Sequence, residues 1–150
     1  MATSIWERLE SGVVVVPYTS LDDLKSYREA IRDTGLNVNN CLIIAVVKTK
    51  KEREVLSQNS VAVFISEKDF NILGRLKNPE ALKTLGRKYD LVLFIGDQPK
   101  RVRRMVAKTM RLIRVGVNST DPDNHVNLET TGQSPSHLIS FVYEMLKKIS

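Results

Sequence analysis

A chain of 150 residues, 42% apolar and 27% charged, has the size and composition of one folded domain that buries its core without disulfides. Its single cysteine, Cys41, excludes an intrachain disulfide and a cysteine-based zinc site, and fits a reducing, cytoplasmic compartment. The net charge of +6 arises in the second half, since residues 1 to 75 hold ten bases and ten acids, and residues 76 to 150 thirteen and seven.

In chain order, Glu7, Arg8 and Glu10 interrupt the first twelve residues, which therefore lack the apolar core of a signal peptide. The longest apolar runs, Val13 to Val16 and Cys41 to Val47, fall far short of the roughly 20 residues of a membrane helix, so no membrane partner is expected. Ser4 and Glu7 have capping-box spacing, which predicts a short helical appendage within residues 1–11. Gly12 then opens a β-branched run with no polar alternation, the pattern of a central strand covered on both faces. Ser20 and Asp23 repeat the capping spacing, and Leu21, Leu24, Tyr27, Ala30 and Ile31 follow at helical intervals until Gly35.

Further strands are predicted at Cys41 to Val47, Val61 to Ile65, Leu91 to Ile95 and Leu112 to Val117, and a half-exposed edge strand within His125 to Thr131. Lys50 to Leu56 reads as a short helix or turn, Asn78-Pro79 opens a helix through Leu85, and Gln98-Pro99 opens one running to about Met110. Ser134-Pro135 starts a last helix with Leu138, Val142, Met145, Leu146 and Ile149 as its buried stripe. Alternating strands and helices imply right-handed crossovers, and hence an α/β fold. The expectation is a single three-layer α/β/α sandwich over residues 1–150, Rossmann-like or flavodoxin-like, with a mostly parallel sheet of five to six strands.

In such sheets, ligands bind outside the carboxyl ends of the strands, near the point where strand order reverses. Those ends carry small polar residues, and Thr19, Ser20, Ser66, Gly96, Asp97 and Asn118 are the candidate ligand-binding positions. The same residue types also start helices and shape turns: Ser66 and Asp69 have capping spacing, and Asp97 beside Gln98-Pro99 can accept at a helix start. Glu67 and Asp97 are the carboxylates whose pairing would suit acid–base work. Pro17-Tyr18-Thr19-Ser20 stands where a dinucleotide-binding domain has its glycine-rich turn. His125 and His137 lack metal-site spacing. No catalytic residue, metal or cofactor is therefore expected.

No acid separates Gln98 from Thr120, while Lys100, Arg101, Arg103, Arg104, Lys108, Arg111 and Arg114 all fall there. On one helix over 99–111, Val102, Met105, Val106 and Thr109 would share a packed face, and Arg101, Arg104, Lys108 and Arg111 a basic stripe suited to nucleic acid or other polyanions. Aromatic residues do not interleave with this cluster, and no nucleic-acid-reading motif accompanies it.

The segment Val61 to Gly74, followed by Lys-Asn-Pro-Glu, Lys-Tyr-Asp-Leu-Val-Leu-Phe-Ile and Arg114-Val115-Gly116-Val117, resembles a bacterial family of unknown function made of short Rossmann-like domains. The resemblance runs from about Gly12 to the carboxyl end and implies a fold, with no established activity. Tyr89 to Val115-Gly116 is also similar to the acceptor half of heptosyltransferase-type glycosyltransferases, which implies a degenerate glycosyltransferase-like enzyme as one alternative. The leading expectation is a module that binds a small ligand or a protein partner at its strand carboxyl ends, with polyanion binding as the rival.

Overall fold

The computed structural model describes residues 3–57, 61–70, 83 and 85–150. Six parallel strands form one sheet: β1 (Gly12–Pro17), β2 (Cys41–Val47), β3 (Val63–Ser66), β4 (Tyr89–Ile95), β5 (Met110–Val117) and β6 (Val126–Leu128). Helices whose bounds are described are α1 (Leu21–Asp33), α2 (Lys50–Leu56), α3 (Lys100–Ala107) and α4 (Pro135–Leu146). The strand order is β3-β2-β1-β4-β5-β6, which decides for the Rossmann arrangement over the flavodoxin one. Every pairing is parallel, where a mostly parallel sheet was expected.

The continuous apolarity of β1 follows from its place in the middle of this sheet. Val14 and Val16 pack into a core shared with Leu24, Tyr27 and Ile31 of α1 and Leu138, Val142 and Leu146 of α4. Val13 and Val15 face the opposite core, closed by Val102 and Val106 of α3. With both faces covered, a polar side chain at any of these four positions would be buried, and each valine contributes roughly 1.5–3 kcal/mol.

Several predicted boundaries move. The amino-terminal segment is a single 3₁₀ turn, Trp6–Arg8, rather than a helix over most of 4–11, and Trp6 meets Tyr143 edge-on with ring centroids 5.0 Å apart. The basic helix ends at Ala107, where the buried Thr109 turns back and donates from its hydroxyl to Val106 O at 2.7 Å. Met110 then pairs with Tyr89 in the sheet, so β4 and β5 begin two residues earlier than expected. The edge strand predicted within His125 to Thr131 forms as β6, beside β5. Most of the helix expected from Asn78-Pro79 to Leu85 lies outside the described residues.

Candidate functional site

Strand order reverses between β1 and β4. Their register pairs Val15 with Phe94, so the loops that follow, Tyr18 to Ser20 and Gly96 to Gln98, leave the sheet side by side at its carboxyl edge. Gly96 is left-handed at φ 75°, and nothing lies within 4 Å of where its Cβ would stand. The backbone there turns out of the sheet into open space.

Thr19 and Ser20 are both occupied by α1. Thr19 Oγ1 donates to Asp23 Oδ2, and Ser20 Oγ caps the helix by accepting from Asp23 N at 3.1 Å. Asp22 and Asp23 fill the first turn of α1, so this helix start repels a phosphate rather than cradling it. The missing glycine-rich turn and these acids agree.

Asp97 does not cap α3, as the sequence suggested. Its carboxylate accepts from Thr120 N at 2.8 Å, Thr120 Oγ1 at 3.2 Å and Ser119 Oγ at 3.3 Å, which ties the end of β4 to the loop after β5. The Thr120 N–H bond holds this exposed carboxyl below its ordinary value, and it is ionised at neutral pH. Asn118 shapes the same loop, with a left-handed backbone at φ 54° and a side-chain oxygen accepting from Thr130 N at 2.9 Å.

Beneath this loop lies a charged cluster that sequence patterning did not reveal. Asp121 is buried and pairs with Arg103 Nη1 at 2.8 Å and with Arg114 Nη2, while Arg114 Nε donates to Asn124 Oδ1 at 2.9 Å. Two members of the acid-free basic run, both outside the predicted stripe, are thus counter-ions of a buried carboxylate. Asn124 and Asn127 bond each other at 2.8 Å directly over Gly116, where a Cβ would stand 2.3 Å from Asn124 Nδ2.

Ser66 stands apart from the crevice. Its hydroxyl is fully buried and accepts from Lys68 N at 3.0 Å, completing a capping box with Asp69. β3 lies three strand positions from β4, roughly 14 Å at the usual spacing, so Glu67 and Asp97 do not form a carboxylate pair. Among the described residues, no group of three or more His, Cys, Asp or Glu side chains could hold a metal.

An open groove of about 410 Å³ lies at the carboxyl edge beside the reversal point, lined by Tyr18, Thr49, Lys51, Glu52, Val55 and Leu56. Val55 is 65% exposed on its wall, and Tyr18 leans edge-on against Phe64 with centroids 6.0 Å apart. Tyr18 after β1 and Thr49 after β2 stand at strand carboxyl ends, which is the sequence signal for it; the α2 residues carried none.

The four stripe residues are divided by the end of α3. Arg101 and Arg104 are exposed on the helix and Lys108 follows it, none within ion-pair reach of an acid among the described residues. Arg111 instead lies on β5, its Nε 3.6 Å from Asp90.

The sequence matches the "Family of unknown function (DUF6913)" over residues 3–149. The chain belongs to that family. No curated protein matches it. Among solved structures, this family member is similar to the E. coli heptosyltransferase WaaC with ADP, at 12% identity and a TM-score of 0.50, covering 93% of this chain and 48% of that one. It is also similar to the D-arabinose dehydrogenase from Sulfolobus solfataricus, at 14% identity and a TM-score of 0.43 over 96% of this chain and 46% of that one. The chain spans about half the length of these proteins, and the first likeness shows a shared fold. Among the described residues, no helix is long and apolar enough to cross a membrane.

Proposed function

We propose that the chain binds a hydroxylated, ring-bearing small molecule of nucleoside or sugar size at the carboxyl edge of its sheet. The position of the groove carries this reading: about 410 Å³ of space opens between Tyr18 and α2 at the carboxyl ends of β1 and β2, on the strand next to the reversal. Tyr18 and Val55 offer the apolar wall for a ring, and Lys51 and Glu52 are the charged groups of the lining that can meet ligand hydroxyls. A pyrophosphate does not suit the start of α1, because Ser20 already caps it and Asp22 and Asp23 oppose the charge.

Thermal unfolding with adenosine, ADP and a series of hexoses tests the proposal. A ligand at a hundred times its dissociation constant stabilises by about 2.7 kcal/mol, which raises the melting temperature by roughly 5–10 °C in a chain of this size. Tyr18→Ala is expected to abolish the rise and Glu52→Gln to weaken it. No rise with any of these compounds, or a rise that Tyr18→Ala leaves intact, overturns the reading.

Polyanion binding is a second reading, favoured by Arg101, Arg104 and Lys108, which are exposed and make no ion pair among the described residues. A short RNA in the same panel addresses it. Binding there must weaken steeply with added salt and fall in Arg101→Gln/Arg104→Gln.

A further inference from the structure

We propose that a second groove, at the amino-terminal edge of the sheet, binds a small, multiply charged anion through Arg87, Lys88, Asn39 and Asn40. The groove encloses about 220 Å³ between the turn before β2 and the segment entering β4. That is room for about seven waters, or for a compact organic acid or phosphate ester. It lies at the opposite end of the sheet from the site proposed above, and neither depends on the other.

The lining is built from donors. Asn39 and Asn40 are exposed, and their side-chain amides hold no hydrogen bond among the described residues, so each offers an NH₂ group to the groove. Arg87 makes no ion pair among the described residues. Lys88 is pinned by one bond from its Nζ to Lys108 O at 2.7 Å, which leaves its other ammonium protons to a ligand. Ser11 and Tyr89 complete the polar wall, and Leu42 supplies an apolar one.

Among the described residues, no acid lines this groove. Asp90 is the carboxylate beside it, and it is already engaged, accepting from Glu10 N at 2.9 Å and facing Arg111 Nε at 3.6 Å. Glu10, the neighbour of Ser11, is exposed at the surface. Burial pushes the Cys41 thiol up to about 11, a rise that Gly12 N–H and Arg28 only partly offset, so the thiol is neutral and adds no negative charge. Burial also raises the Tyr89 phenol, which stays protonated. The site therefore presents two cations and several neutral donors to an anion.

The experiment is a titration of the full chain with pyrophosphate, and separately with citrate, followed by amide chemical shifts at low salt with glycerol as the uncharged control. Saturable shifts confined to residues 11, 39–42 and 87–89 are expected with at least one of the anions, and none with glycerol. Arg87→Gln/Lys88→Gln is expected to weaken binding at least tenfold, and Asn39→Asp/Asn40→Asp to do the same by adding charge without shortening a side chain. Unchanged melting temperatures in both pairs would show that the fold persists. Tyr18→Ala and Arg101→Gln/Arg104→Gln are expected to leave this binding intact. Absence of saturable shifts, shifts that survive both groove variants, or an equal loss in Arg101→Gln/Arg104→Gln overturns the proposal; the last would mean diffuse attraction to the basic half of the chain.

Discussion

Asp121 shows how a charge run is divided by packing. Burial opposes its ionisation, yet the bond from Asp123 N–H and the guanidinium groups of Arg103 and Arg114 outweigh that cost and hold its carboxyl below the ordinary value. Its side chain is 2% exposed and that of Arg114 12%, so Asp121→Asn leaves a buried cation without its counter-charge. The expected loss at pH 7 is roughly 3 kcal/mol by urea unfolding. Because the folded carboxyl titrates below the unfolded one, at about 3.9, the stability it confers is full above pH 4 and is lost as pH falls through the folded value. Wild-type stability therefore drops in that acid window, and Asp121→Asn should show a shallower drop there. The helical pattern sets Arg101 and Arg104 on the stripe and leaves Arg103 and Arg114 off it, but only the fold shows that Asp121 lies beneath the second pair.

At the scale of elements, caps and buried faces set stability, while the outward charges are free for other uses. Ser20 was read both as a helix cap and as a ligand contact, and its hydroxyl makes the cap bond to Asp23 N. Ser20→Ala is expected to cost about 1 kcal/mol in urea unfolding, and a change near zero would argue that the cap is not what Ser20 provides. In α3, Val106 is fully buried, so Val106→Ala should cost roughly 2 kcal/mol, whereas Arg101→Gln at the exposed face should stay within about 0.5 kcal/mol. The α3 boundary was misjudged because basic and apolar residues keep a helical rhythm past Ala107. Met110 instead pairs with Tyr89, so the chain enters the sheet where the rhythm would continue the helix.

For the molecule as a whole, α4 closes one face of the sheet. Leu138, Ile139, Val142 and Leu146 are all buried in the core shared with α1. At roughly 1.5–3 kcal/mol each, these four side chains amount to about 6–12 kcal/mol, comparable with the entire stability of a typical domain. A chain ending at Ser134 is expected to lose cooperative urea unfolding and to bind a hydrophobic dye. A sharp two-state transition in that truncation would mean that the remaining layers fold without it.

The sequence by itself determined the alternation of strands and helices, the buried setting of β1 and the caps at Ser20, Ser66 and Ser134. These are local: periodicity, β-branching and hydrogen-bonding side chains act over a few residues, and they survive whatever the rest of the chain does. Strand order, the tie between Asp97 and Thr120, the sharing of Asp121 by two arginines and both grooves were decided by tertiary structure. Each joins residues from separate turns or strands, and their meeting depends on the sheet order and on which face each crossover takes. Tyr18 illustrates the division, because its position after β1 was legible in the sequence while the groove beside it exists only once α2 packs across from it.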